Sequence, residues 1–382
     1  MKAIDMVFNR HVLFGEHMLD EVAKTLSWHG KQKAFLATYS TEGAGFAELQ
    51  ASLESLDIQY VIYDRIKGEP DLNCINAGRD LYLSEGCDCA IAFGGGSIID
   101  ATKAINMLAV NGGNIEEYQM EGRQVVTAPP LFIAVPTTSG TGAEATKTSV
   151  VLNNDNGLKK SLYHTTMIAD TVILDPRLTV GLPAPITAAT GMDALSHAIE
   201  SYVSLNATPI TEMYGLRAVS LIKENLAIAV NEPENLEARG NMMLASYFGS
   251  VAITAGIGIA HIMAQPLGAV FKIPHGDACS IFLPGSIELN TPFAADRYAK
   301  IAEAFGIDTA GMSDAEAANA LIQGISELQA SISAPTSLTP YIDRDVPMEE
   351  LIDIIQRTTG HITCNPRPLD EQLMREAYQL AL

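Results

Sequence analysis

The sequence predicts an α/β domain on a parallel sheet, followed by an all-α domain. Three observations carry this reading. Short β-rich runs alternate with amphipathic segments through the first half of the 382 residues, the strand–helix–strand order that builds a parallel sheet. One of these runs ends in three consecutive glycines with a helical pattern directly behind them. After Pro176 the texture changes: helical periodicity dominates and β-branched runs become rare. The length suits two domains rather than one. Pro183 and Pro185 punctuate the change, which places the junction at residues 178–185 and the domains at 1–180 and 181–382.

The expected strands cover residues 34–38, 60–63, 89–93, 131–136 and 171–174, and residues 146–152 are also β-rich. Amphipathic segments at 72–84 and 98–108 lie between strands. In the second half, helices are expected at 185–203, 210–224, 236–254, 294–305, 314–332, 348–357 and 369–382. No internal repeat or low-complexity tract interrupts the pattern.

Composition excludes some partners. The formal net charge is −21, so nucleic acid and anionic membrane surfaces would be repelled. Five cysteines are present, Cys74, Cys87, Cys89, Cys279 and Cys364, with no CxxC pair. Cys87 and Cys89 are two apart on a β-rich run, too far apart along a strand for easy bridging. A reducing compartment fits. The N-terminal stretch carries polar residues where a signal peptide needs an apolar run, and no stretch has the uninterrupted apolar length of a membrane helix. The expectation is a cytoplasmic protein.

Two loops could hold an anionic ligand. In DCAIAFGGGSIIDATKAI, a buried strand turns through Gly94, Gly95 and Gly96 into a helix. Glycines let the backbone approach a ligand closely, Ser97 is placed to cap the helix with Asp100 three residues on, and a helix N-terminus offers N–H groups to phosphate. The pattern is not GxGxxG, so the usual dinucleotide fingerprint does not apply; an ordinary glycine turn would read the same way. The second loop, VPTTSGTGAEATKT, sets Thr137, Thr138 and Thr141 after a strand, where small hydroxylated residues suit a cofactor crevice or a polar surface loop.

Asp193 and His197 are four residues apart and so share a helix face. His261 and His275 lie fourteen apart and can close a set of one carboxylate and three imidazoles. Such a set suits a divalent first-row metal. The bland alternative is a buried Asp–His pair with two unrelated histidines. Against it, Asp193 sits in a largely apolar helix, where an unpaired carboxylate is costly.

These residues and their surroundings resemble the iron-containing (group III) alcohol dehydrogenases over nearly the whole chain. The motifs are FGGGSIIDATKAI, PTTSGTGAE, LDPRLT ahead of PAPITAATGMDALSHAIE, AHIMAQPLGAVFKIPHGDA and CNPRPLDEQLMREAY, in that order. The resemblance implies a Rossmann-like dinucleotide-binding domain, a helical metal-binding domain and an active site in the cleft between them. It implies Asp193, His197, His261 and His275 as ligands to Fe2+, with Zn2+ or Mn2+ as alternatives. It implies Gly94, Gly95, Gly96 and Ser97 as the pyrophosphate loop, with Asp100 beside it. Thr137, Thr138 and Thr141 would line the cofactor, and Lys160 would reach its ribose. The activity implied is reversible hydride transfer between NAD(P)H and a short-chain alcohol or aldehyde, run as an aldehyde reductase. Homodimers are frequent in the family.

Three positions depart from the family pattern. Gln265 stands where many members have a second histidine, and glutamine cannot relay a proton by ionising. The run Ala37, Thr38, Tyr39, Ser40 has no acid where NAD-preferring members often do, which leaves NAD and NADP both open. His361, four before Asn365, falls at a pocket position and is the candidate proton donor. A related dehydroquinate-synthase-like lyase is the first rival. It would need several basic groups for a phosphorylated substrate, and the chain has only 24 Lys and Arg with no cluster near the ligand motifs. A non-enzymatic binding module on the same fold is the second, and it would not need all four ligands.

Overall fold

The computed structural model describes residues 4–342, 347–359 and 362–382. Contacts divide them into two units, one of Asp5–Thr138 with Gly142–Val180, the other of Gly181–Leu382 with Ser139–Thr141.

The first unit runs β1 (His11–Phe14), α1 (Asp20–Trp28), β2 (Lys33–Thr38), α2 (Ala44–Ser55), β3 (Gln59–Tyr63), α3 (Leu72–Ser84), β4 (Cys89–Gly94), α4 (Gly96–Asn111), α5 (Ile115–Met120), β5 (Phe132–Pro136), β6 (Thr148–Leu152), β7 (Lys159–Tyr163) and β8 (Thr171–Leu174). Six strands form one sheet in the order β1-β8-β5-β4-β2-β3, and every pair in it is parallel. A parallel sheet needs both faces covered, so its central strands are largely apolar, and β4 is buried at every position. On one face Leu36, Ile91 and Ile133 meet Val22, Leu26, Leu49 and Leu53 of α1 and α2. On the other, Phe35 of β2 stacks with Tyr63 and with Tyr82 of α3. The β6–β7 pair is a separate antiparallel ribbon.

Five elements here escaped the sequence reading, among them the six-residue α5. Strand β1 is an exposed edge with little burial, and β7 carries two lysines, so neither shows a clean strand pattern. Helices α1 and α2 are short amphipathic segments. Ser97 does not cap α4. The N-cap is Gly95, and no side chain caps that end.

The second unit contains α6 (Ala184–Val203), α7 (Pro209–Asn231), α8 (Leu236–Ala252), α9 (Ile259–Val270), α10 (His275–Ala304), α11 (Asp314–Ser331), α12 (Met348–Thr358) and α13 (Glu371–Ala381), and no strand among the described residues. Starts are set by local chemistry. Thr208 and Ser313 form capping boxes with Thr211 and Glu316, and Pro209 occupies the first turn of α7, where its missing N–H costs nothing. Leu195, Ile199, Ile222, Leu226, Leu321 and Ile325 form the centre of one apolar core, each worth roughly 1.5–3 kcal/mol when fully buried. The helix expected at 294–305 is the end of α10. Its supposed first residue, Ala294, is a kink with φ −150° and ψ 32°, two residues after Pro292.

Candidate metal centre and glycine loop

Helix α6 carries Asp193, His197 and Glu200 at the spacing of one face. All three are buried. His261 sits in the first turn of α9, and His275 opens α10. Gly276 explains how α10 approaches α6 so closely: a Cβ there would stand 2.2 Å from the carbonyl oxygen of Ala189, one turn before Asp193. No other residue type permits that approach without displacing the backbone.

The result is a convergence on one carboxylate oxygen. Asp193 Oδ1 lies 3.4 Å from His261 Nε2, 3.7 Å from His197 Nε2 and 3.7 Å from His275 Nε2. The His197 and His261 rings stack at 4.5 Å between centroids. Among the described residues, Asp193 Oδ1 and His261 Nε2 are buried with no hydrogen-bond partner. Buried polar atoms are almost always paired, so a carboxylate oxygen and an imidazole nitrogen left facing each other fit a cation shared between them.

Glu200 was not singled out from the sequence, yet it organises the site. Its carboxylate accepts from Gly258 N at 2.9 Å and Ala260 N at 2.6 Å, and it stands 2.6 Å from His261 Nδ1. It thus caps the N-terminus of α9 from another helix, where an anion is favoured. An ionised carboxylate can only accept, so His261 donates through Nδ1–H, which leaves Nε2, on the side of Asp193, as the atom that would bind a cation once it is deprotonated. Spacing could have found Glu200, since it is seven residues after Asp193 and three after His197. Cys279 is the second residue missed. Its Sγ is 3.6 Å from His275 Nε2, and four residues separate the two on α10.

The electrostatics follow from burial and crowding. Burial alone would raise the Asp193 carboxyl, but the His197, His261 and His275 imidazoles outweigh it and hold it well below the carboxylate range. Burial pushes His197 down to about 4, leaving it neutral with a lone pair to give. Burial also acts to lower His261, and there Cys279, Glu200 and Asp193 together overcome it and raise the imidazole.

In the α/β unit, Gly94 closes β4 and Gly95 and Gly96 lead into α4. A Cβ on Gly94 would stand 2.6 Å from Ile98 Cγ1, so close strand–helix packing already requires glycine there. The uncapped end of this 16-residue helix leaves N–H groups for an anion. Thr137 N donates to Gly94 O at 3.1 Å, which ties the threonine loop to the glycine turn, and Thr138 is half-buried beside Gly95.

The remaining sequence candidates are scattered. Asp100 turns inward, accepting from Val150 N at 3.0 Å and lying 3.4 Å from Lys103 Nζ. Lys160 is on β7 with its carbonyl accepting from Gln119. Tyr39 follows β2, is 58% exposed and lies under Lys67 Nζ, 5.1 Å from its ring centre. Thr141 groups with the helical unit, where its carbonyl accepts from Ser250 Oγ at 2.9 Å. Gln265 is on α9, one turn after His261. His361 lies outside the described residues.

Comparison with known proteins gives matches along nearly the whole chain. A family model described as iron-containing alcohol dehydrogenase matches residues 9–176, and one described as Fe-containing alcohol dehydrogenase family, C-terminal, matches residues 187–382. The chain is 33% identical to an NAD-dependent methanol dehydrogenase of Bacillus methanolicus, covering 97% of both proteins. It is 32% identical to a 1,3-propanediol dehydrogenase of Citrobacter freundii, covering 96% of both. Among solved structures, a 1,3-propanediol oxidoreductase superposes with a TM-score of 0.95 at 30% identity over 100% of both chains.

Proposed function

This chain belongs to the iron-containing alcohol dehydrogenase family and is an oxidoreductase of alcohols and aldehydes, and from that premise we propose that Asp193, His197, His261 and His275 hold its divalent metal ion. The observation that carries this reading is the meeting of three imidazole Nε2 atoms on Asp193 Oδ1 within 3.7 Å, with Oδ1 and His261 Nε2 left unpaired in a buried site. An iron, zinc or manganese ion bound there would polarise a substrate oxygen. Glu200 keeps the proton on His261 Nδ1 and so keeps the Nε2 lone pair aimed at the centre, the usual support for a ligating histidine.

A nicotinamide cofactor, when bound, would supply the hydride that passes to the substrate carbon. Its pyrophosphate is assigned to Gly94, Gly95, Gly96 and Ser97 at the start of α4, with Thr137, Thr138 and Thr141 supplying hydroxyls and Lys160 the ribose contact. Asp100 supports that loop from inside, by holding Lys103 and β6, rather than by touching a ligand. The run Ala37, Thr38, Tyr39, Ser40 has no acid to oppose a 2′-phosphate, and Lys67 is a cation at the same strand end, so the reading admits NADP beside NAD. The substrate is a short-chain aldehyde, reduced in the physiological direction. Gln265 would line the pocket without ionising, which leaves the proton to His361 by its sequence offset.

A homodimer belongs to the same reading. Strand β1 is a sheet edge with Val12 and Phe14 exposed, and an apolar edge of this kind is a template for a second copy. Five free cysteines fit a reducing cytoplasm, and among the described residues no single helix is long and apolar enough to cross a membrane.

The test is an anaerobic assay of metal-stripped and metal-reconstituted protein against short aldehydes with NADH and NADPH. Turnover that appears only after reconstitution supports the reading. Equal turnover in verified metal-free protein refutes it.

A further inference from the structure

Helix α10 brings a sulfur atom to the same cluster. The carboxylate of Asp193, the imidazoles of His261 and His275 and the thiol of Cys279 each offer one donor atom, and these four atoms lie within 4.8 Å of one another. Donors on a single ion at about 2.0–2.3 Å stand about 3.3–3.8 Å apart in a tetrahedral shell and about 4–4.6 Å apart where they lie opposite one another in an expanded one, so the cluster is within a few tenths of an ångström of an expanded shell and would have to contract by about 1 Å for a tetrahedral one. Cys279 is fully buried among Ala278, Ile281 and Phe282. Its polar contact is with His275 Nε2 at 3.6 Å. An imidazole nitrogen that gives its lone pair to an ion cannot also accept from a thiol, so metal binding at His275 takes away that contact and leaves the sulfur facing the ion.

We propose that Cys279 supplies a thiolate to the metal ion as a fifth protein donor beside Asp193 and the three histidines, leaving one position of a six-coordinate ion for the substrate oxygen, and that this mixed oxygen, nitrogen and sulfur set shifts the centre's preference towards zinc and away from manganese. The inference rests on the metal reading of that cluster. Two observations independent of the cysteine point to a cation there: the unpaired, buried Asp193 Oδ1 and the unpaired, buried His261 Nε2. Hard oxygen ligands suit manganese and magnesium, whereas thiolates select zinc and other softer ions. Cys364, the other cysteine of the helical unit, is already engaged, with its Sγ 3.3 Å from Ile257 O.

The experiment titrates the metal-stripped full-length protein with Co(II), which reports site occupancy by its visible ligand-field bands and a sulfur ligand by a near-ultraviolet thiolate-to-cobalt charge-transfer band. The expected result is that both sets of bands saturate together at one cobalt per chain. In Cys279→Ser and Cys279→Ala the visible bands persist and the charge-transfer band is lost. In competition, both variants also lose part of the parent's preference for zinc over manganese. Cobalt bound by the parent without a charge-transfer band, or a band retained in both variants, overturns the thiolate assignment and leaves the Asp193–histidine site standing. A folded parent that binds no cobalt overturns the metal reading, and the inference with it.

Discussion

Two buried polar clusters, one in each unit, solve the same electrostatic problem in opposite ways. In the α/β unit Lys103 is fully enclosed, yet its Nζ lies 3.4 Å from Asp100 Oδ1, 3.1 Å from Thr146 Oγ1 and 2.6 Å from Thr148 O. Asp100 in turn accepts from Val150 N. The cation comes from the chain, and the cluster is closed. In the helical unit, Asp193 faces imidazoles and the Cys279 thiol but no side-chain cation such as lysine or arginine within ion-pair distance among the described residues, and two of the facing atoms have no hydrogen-bond partner among the described residues. There the cation has to come from outside. Burial of charge therefore does not by itself mark a functional site. What separates the two is whether the donors and acceptors balance.

The largest effect should come from removing a donor of the open cluster. His275→Ala is expected to abolish reduction and to lower bound metal, measured together by turnover and elemental analysis, while leaving the melting temperature of the stripped protein near that of the parent. The closed cluster should behave in reverse. Lys103→Met leaves Asp100 buried without its cation, and breaking such a pair costs about 3–5 kcal/mol. Denaturant unfolding should show that loss with the metal content unchanged. A Lys103 variant that kept its stability and lost its metal would erase the contrast.

Glu144 sharpens the comparison through pH. It is buried beside Lys103 and Asp100, and burial pushes its carboxyl from 4.5 up to about 7. The folded protein thus keeps a proton that the unfolded chain releases, so this group leaves stability unaffected below 4.5 and erodes it as pH rises towards 7. Glu144→Gln should remove that slope. The gain above neutrality would be up to about 3 kcal/mol, and none would remain in acid. Parallel urea melts at both ends of the range decide it: a variant with the parent's pH slope would show that Glu144 ionises freely.

Glu200→Gln is the mildest change. It keeps the volume and one acceptor but loses the charge that holds the His261 proton, and loss of such a support weakens metal binding by roughly 10–100-fold. Competition with a chelator measures it. An affinity equal to the parent's would mean that His261 is oriented by packing alone.

Much of this was legible in the sequence, and the failures have physical causes. Strands β2, β4, β5 and β8 are buried, largely apolar runs and β3 is a half-buried aromatic and β-branched one, which composition reveals. Strand β1 is short, exposed and paired only through β8 across the chain, so nothing local marks it. In α9 and α10, Pro266, Pro284 and Pro292 lie inside helices, and tertiary packing overrides the local rule that proline ends them. Asp193 and His197 could be paired by helical spacing. His261 and His275 could be joined to them only as a hypothesis, because the contact depends on Gly276 meeting Ala189. Asp100 was legible only by its place beside the glycine turn; that its carboxylate also engages Lys103 and Val150 N depends on β6 folding against α4.

The central claim is that the Asp193 cluster is completed by an ion. Calorimetric titration of metal-stripped protein with Zn(II) tests it most directly, with Asp193→Asn as the comparison. The account predicts one tight site per chain in the parent, a rise in melting temperature on saturation, and loss of both in Asp193→Asn. A parent that binds no zinc, or an Asp193→Asn protein that binds it as tightly as the parent, would contradict it.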